Sequence, residues 1–178
     1  MKRTIKTLVV GITMVTAFAF ATSNTSNPNP TQEQLEAKVR HELLMLPYLG
    51  VFDNLQFRVD GTTVILLGQA SRPTLRSDAG NVVKRIEGVS AVNNEIEVLP
   101  LSRFDDQLRL RVARNVYGQS ALNRYALGAH PSIHIVVKNG NVTLEGVVAN
   151  KMDANIANIQ ANSVFGAFSV TNNLQIEK

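Results

Sequence analysis

The sequence predicts an α+β protein made of two tandem helix-strand-strand-helix-strand repeats, each a three-stranded mixed sheet with two helices on one face. Three observations carry this. First, residues 55–98 and 133–176 share one pattern at a constant offset and without a gap. Val64, Leu66 and Gly68 answer to Val142, Leu144 and Gly146, and Gly88 to Gly166; Val92, Asn94, Ile96 and Val98 answer to Val170, Asn172, Leu174 and Ile176. Second, helical and alternating periodicities follow one another in the same order in both copies. Third, a helix separates the second strand of each copy from the third, so that pair runs parallel while the preceding hairpin is antiparallel, and both helices cover one apolar face. The matched positions are apolar, Gly, Ala and Asn. What was duplicated is therefore a fold with a surface and not a reaction centre.

Each copy opens with a helix. Leu35, Val39, Leu43 and Leu46 fall at helical spacing behind Thr31 as N-cap, and Gln34 three residues on completes a capping box. In the second copy Ser102 caps, and Phe104, Leu108, Val112 and Val116 make the stripe. Alternation follows: Leu55, Phe57 and Val59 lead to the Asp60-Gly61 turn and on to Val64 and Leu66, while Ile133, Ile135 and Val137 lead through Asn139-Gly140 to Val142 and Leu144. Asn-Gly between alternating apolar runs is the strongest short hairpin signal.

The second helix turns Leu75, Ala79, Val82 and Ile86 inward in the first copy, and Ala157, Ala161 and Val164 in the second. Gly88 and Gly166 stand where a left-handed C-terminal cap is wanted. In the third strand Asn94 and Asn172 share the parity of the buried residues, and an unpaired buried amide costs on the order of 1–3 kcal/mol. Each is expected to tie down neighbouring backbone. Residues 31–99 and 102–178 form the two domains, with only a short stretch around Pro100 between them, which favours a fixed mutual orientation. A unit this small is marginal alone, so packing of one copy on the other would help both.

Ahead of the repeats, residues 1–21 read as a cleaved secretory signal: basic Lys2, Arg3 and Lys6, an apolar run from Leu8 to Phe20, and Ala19-Phe20-Ala21 as cleavage site. The run is about a dozen residues, short of the roughly 20 that a membrane-spanning helix needs. Residues 22–30 follow as a polar linker. With no cysteine in the chain, lipidation at a cleavage-site cysteine, disulfides and thiolate metal sites are excluded. The expected location is periplasmic or secreted.

Of the formal charge of +4, three units belong to Lys2, Arg3 and Lys6, so only +1 remains after cleavage. That removes the main support for a nucleic-acid partner. The remainder is uneven: residues 31–100 hold 7 basic and 9 acidic side chains, residues 101–178 hold 8 and 5. The first helix of the second copy and the loop after it carry Arg103, Arg109, Arg111, Arg114 and Arg124. Tyr117 and Tyr125 beside them are amphipathic rings of the type favoured at lipid headgroups. Arg109, Arg111, Arg114, Tyr117, Arg124 and Tyr125 are the candidate lipid-binding residues.

Other constellations carry less. His130 and His134 stand four apart, but Pro131 and the strand from Ile133 remove the helix that would align them, so no metal is expected. Gly118-Gln119-Ser120 lacks the second glycine and the leading strand of a nucleophile elbow. No phosphate loop, zinc-protease signature or catalytic acid pair is recognisable, so no enzyme and no cofactor is expected.

The string Gly140-x-Val142-x-Leu144-x-Gly146-x-Val148, the ending Gly166-x-x-x-Val170-x-Asn172-x-Leu174-x-Ile176 and the element order resemble the BON domain, named for bacterial OsmY and nodulation proteins. The first copy matches through Val64-x-Leu66-x-Gly68 and Gly88-Val89-x-x-Val92-x-Asn94-x-Ile96-x-Val98, with Gly61 displaced by one from Gly140. A signal followed by two such copies is similar to OsmY-like and DolP-like envelope proteins. The resemblance implies a non-enzymatic periplasmic role, association with anionic phospholipid or a membrane surface, and envelope integrity under osmotic stress. Two departures stand out: the lipoprotein cysteine of DolP-like members is absent, and the loop 118–132 is longer than its counterpart. The alternative is a soluble protein-interaction or chaperone-like module of the periplasm that engages envelope proteins.

Overall fold

The computed structural model describes residues 30–128 and 130–177; the expected signal and nearly all of the linker lie outside them. The first copy consists of α1 (Gln32–Leu44), β1 (Asn54–Asp60), β2 (Thr63–Ala70), α2 (Pro73–Lys84), β3 (Ala91–Asn94) and β4 (Glu97–Val98). The second repeats it as α3 (Arg103–Tyr117), β5 (Ile133–Lys138), β6 (Asn141–Val148), α4 (Lys151–Asn162), β7 (Ser169–Asn172) and β8 (Gln175–Ile176), with a 3-10 turn at Asn123–Ala126. The fold class is the expected one. In each sheet the central strand pairs antiparallel with the hairpin partner on one side and parallel with the last strand on the other.

Local sequence sets the boundaries. Thr31 and Gln34 form the reciprocal capping box at the start of α1, Ser102 Oγ accepts from Asp105 N at α3, and Asn150 Oδ1 accepts from Asp153 N at α4. Asn139 and Gly140 both adopt positive φ in the β5–β6 turn.

The third strand of each copy runs in two short pieces, because Gly68 and Gly146 bend the central strand beside it. Gly68 has φ +100°, and a Cβ there would meet Asn54 O at 1.9 Å. Across the break the asparagine side chain supplies the missing bonds. Asn94 Nδ2 donates to Arg76 O at 2.7 Å and its Oδ1 accepts from Ile96 N at 3.3 Å; Asn172 does the same with Ala154 O at 2.9 Å and Leu174 N at 3.2 Å. Each asparagine thus locks the second helix of its copy to the last strand.

Each copy has its own core: Leu35, Val39, Leu66 and Leu75 in the first, Leu108, Val112, Ile135 and Leu144 in the second. The two join along the chain segment just before β1. Val51 and Phe52 pack against the second core, Ile135 N donates to Val51 O at 2.8 Å, and Lys138 bridges Glu97. Three expectations for buried positions change. Asn172, expected at a buried parity, is exposed, although its amide makes the expected backbone bonds. In α2 it is Val83 and not Val82 that is fully buried. Phe104 lies outside the α3 stripe, 43 % exposed, and Asp105 next to it is buried instead.

Candidate functional site

Helix α3 was expected to present a basic face, and the structure divides its charged residues in two. Asp105, 1 % exposed, accepts from Asn139 N at 2.9 Å and Gly140 N at 2.8 Å and so caps the β5–β6 turn. Arg109 is 5 % exposed; its guanidinium donates to Val137 O at 2.8 Å and pairs with Asp106. The Tyr117 hydroxyl donates to Ile133 O, and burial pushes its phenol well above the usual range. These residues form a comb along the outer edge of β5, and Val51 O takes the Ile135 N–H between the two side chains. Arg109 and Tyr117, expected to contact lipid, are therefore occupied in closing a strand edge: a sheet edge with unmet backbone groups recruits the nearest donors.

Arg124 and Tyr125 belong to a second structural cluster. The Tyr125 hydroxyl donates to Asp153 at 2.6 Å and accepts from Ala149 N at 2.8 Å. Arg124 pairs with Asp153 and lies 4.9 Å over the Tyr125 ring. The Tyr125 hydroxyl, joined by Arg124 and the Asn150 amide, holds the Asp153 carboxyl below the usual carboxylate range. The cluster pins the long loop to the start of α4. Tyr125 is buried, so its ring is not available as a lipid contact; Arg124 is exposed, but its guanidinium is committed to Asp153.

What remains of the basic residues of α3 is Arg103 and Arg114, both exposed, and the half-buried Arg111; none has an ion-pair partner among the described residues. Beside them lies an aromatic patch. Phe104 stacks on Phe168 with ring centroids 5.9 Å apart, and Phe165 and Phe168 are 91 % and 75 % exposed. The turn between α4 and β7 carries both, held by Gly166 at φ +98° and by the bond from Phe168 N to Gly140 O at 2.9 Å. A Cβ at Gly166 would lie 3.2 Å from Arg111 Nη2 and 3.5 Å from Phe104 Cζ, so a cation and two phenyl rings meet at this turn. Singly exposed apolar residues are ordinary, whereas a cluster with cations at its border marks an interaction surface.

Sequence reasoning missed the three phenylalanines. Phe104 matched the helical stripe, and Phe165 and Phe168 stand where the copies differ: the residues 78 earlier are Glu87 and Ser90. That departure from the repeat was the available signal. Among the described residues no group of three or more His, Asp or Glu side chains converges as a metal site would require, and no helix is long and apolar enough to cross a membrane. Burial lowers the His134 imidazole below its ordinary range.

Two solved structures of CdsD from Chlamydia trachomatis resemble the chain. One, described as the C-terminal domain of this structural protein of the type III secretion system, has 11 % identity and a TM-score of 0.30, covering 84 % of this chain and 100 % of that one. The other has 12 % identity and a TM-score of 0.32, covering 81 % and 93 %. At these scores the likeness carries no argument about function. No curated protein matches the chain. The model of the BON domain matches residues 31–100 and again 111–178. BON domains are envelope-associated binding domains without catalytic machinery. With nearly all of the described chain covered by two such matches and the duplicated fold observed in both, this chain belongs to the BON domain family, as a tandem pair.

Proposed function

We propose that the protein is exported after cleavage near Ala21 and associates with anionic phospholipid at the cell envelope through its second copy, in support of envelope integrity or resistance to osmotic stress. The observation that carries this reading is the patch of Phe104, Phe165 and Phe168 bordered by Arg111, with Arg103 and Arg114 on the same helix. The acidic residues of α3 do not oppose it, because Asp105 is buried on the turn amides and Asp106 is paired with Arg109. The patch is confined to the second copy: position for position along the buried stripes, Phe104 corresponds to Thr31, and Phe165 and Phe168 correspond to Glu87 and Ser90.

The magnitudes fit reversible adsorption. Each Arg at an anionic surface contributes about 1 kcal/mol, and the attraction fades within about a Debye length, roughly 8 Å at physiological salt. Three give about 3 kcal/mol, roughly a hundredfold in affinity. Exposed phenyl rings entering the headgroup boundary supply the apolar contribution that a protein without an acyl anchor needs.

Sedimentation with vesicles of anionic or zwitterionic lipid tests the reading. The parent should bind anionic vesicles at low salt and release at high salt. Replacing Arg103, Arg111 and Arg114 with Gln should weaken binding roughly a hundredfold. Phe165→Ser with Phe168→Ser should weaken it while leaving the salt dependence. Binding indifferent to lipid charge, or absent at low salt, overturns the reading.

A further inference from the structure

We propose that the cleft between α1 and β1 of the first copy is a docking groove for an extended polypeptide segment, which joins the sheet as an added strand beside β1. This is independent of the lipid reading, and it rests on a comparison between the copies that the duplication itself provides.

In the second copy the edge of β5 is closed. Ile133 O, Ile135 N and Val137 O are taken by Tyr117, by Val51 O and by Arg109. Strand β1 has the same register on its partner as β5: Leu55, Phe57 and Val59 face Gly68, Leu66 and Val64 as Ile133, Ile135 and Val137 face Gly146, Leu144 and Val142. Leu66 O is bonded from the far side by Glu95 N at 2.8 Å, so Leu66 and Phe57 form a pair without mutual hydrogen bonds, and the N–H and C=O of Phe57 point away from β2. Leu55 and Val59 point the same way. Among the described residues no hydrogen bond reaches Leu55 O, Phe57 N or Val59 O; the side-chain bonds of this strand are those of Asn54 and Gln56.

The residues that close β5 have no working counterparts on α1. Aligning Leu35, Val39 and Leu43 with Leu108, Val112 and Val116 places Gln32 at Asp105, Glu36 at Arg109, Arg40 at Ala113 and Leu44 at Tyr117. Glu36 offers no donor for Val59 O, and Leu44 offers no hydroxyl for Leu55 O. All four α1 residues line a cleft of about 1060 Å³ whose floor includes residues 54–59. The copies differ where a strand could enter.

The occupant follows from the walls. The second copy contributes His130, Ser132, His134, Glu145 and Val147 to the lining, so an occupant is bounded by both copies, which suits one extended segment better than the broad sheet edge of another folded molecule. Its formal charges cancel, Arg40 and Arg58 against Glu36 and Glu145, which favours uncharged side chains over an anion. One mostly apolar recess of about 120 Å³, walled by Leu43, Leu44, Leu49, Leu55 and Phe57 with Arg40 and His134 at its border, opens there. A cavity of about 150 Å³ accommodates benzene, so this one takes a single aliphatic side chain. Backbone pairing with β1 gives affinity and the recess gives selectivity, the usual division in strand addition.

The test uses the chain with both copies intact and a displayed library of random octapeptides. A control variant closes the edge with the second copy's own residues, Glu36→Arg with Leu44→Tyr. Peptides should be enriched on the parent over the variant, with an aliphatic residue at one fixed position between uncharged neighbours. An enriched peptide should slow hydrogen exchange of the Phe57 amide, and N-methylation at alternate residues should weaken it roughly tenfold or more. Equal enrichment on the two proteins, or equal binding of the N-methylated peptide, overturns the proposal. Protection of Phe57 that rises with protein concentration in the absence of peptide overturns it in favour of a second copy of the chain.

Discussion

At Arg109 a charged side chain has left the surface that its helix presents. Its partners are the Val137 carbonyl, 28 residues away, and Asp106 one turn back. Removing a charged donor from a buried carbonyl costs about 1–3 kcal/mol, so Arg109→Met should lower the melting temperature without reducing adsorption to anionic vesicles. Arg114→Gln, at an exposed position without an ion-pair partner, should do the reverse. Thermal melts and vesicle sedimentation on the two variants separate structural from lipid-facing arginines; a stable Arg109→Met that no longer binds would return Arg109 to the binding face. Spacing placed Arg109, Arg111 and Arg114 on one helix correctly. It could not tell them apart, because each one's role is set by a neighbour distant in sequence.

The second helix of each copy must approach its sheet closely, and small residues permit it. Ala79 and Ala157 are both fully buried and equivalent in the repeat. Ala157→Leu should overpack the space between α4 and β6 and cost roughly 1–3 kcal/mol, read as a lower midpoint in denaturant; an unchanged midpoint would mean that α4 can shift outward. Element order, hairpin turns, caps and these contact positions were legible because each depends on residues within a few turns of one another. Phe104 was misplaced for an equally local reason. It lies four residues before Leu108 and so continues the stripe, yet the helix begins at Arg103, and there the ring meets Phe168 of the α4–β7 turn instead of the core.

Across the molecule the copies are joined by more than the linker. Val51 and Phe52 contribute to the second core, and Val51 O serves the β5 edge. Thermal unfolding should therefore be one transition, and residues 101–178 alone, which lack both side chains and the carbonyl, should melt lower; two calorimetric peaks matching the separate halves would show independent units. The sequence by itself determined the duplication, the architecture of each copy and the absence of cysteine chemistry, since periodicity, turn residues and composition act locally. Only the tertiary structure decided which arginines meet solvent, that three phenylalanines form a patch, and that among the described residues β5 is closed while β1 stays open. Those outcomes depend on partners 16 or more residues apart, whose meeting is fixed by packing and strand register and leaves no periodic trace in the chain.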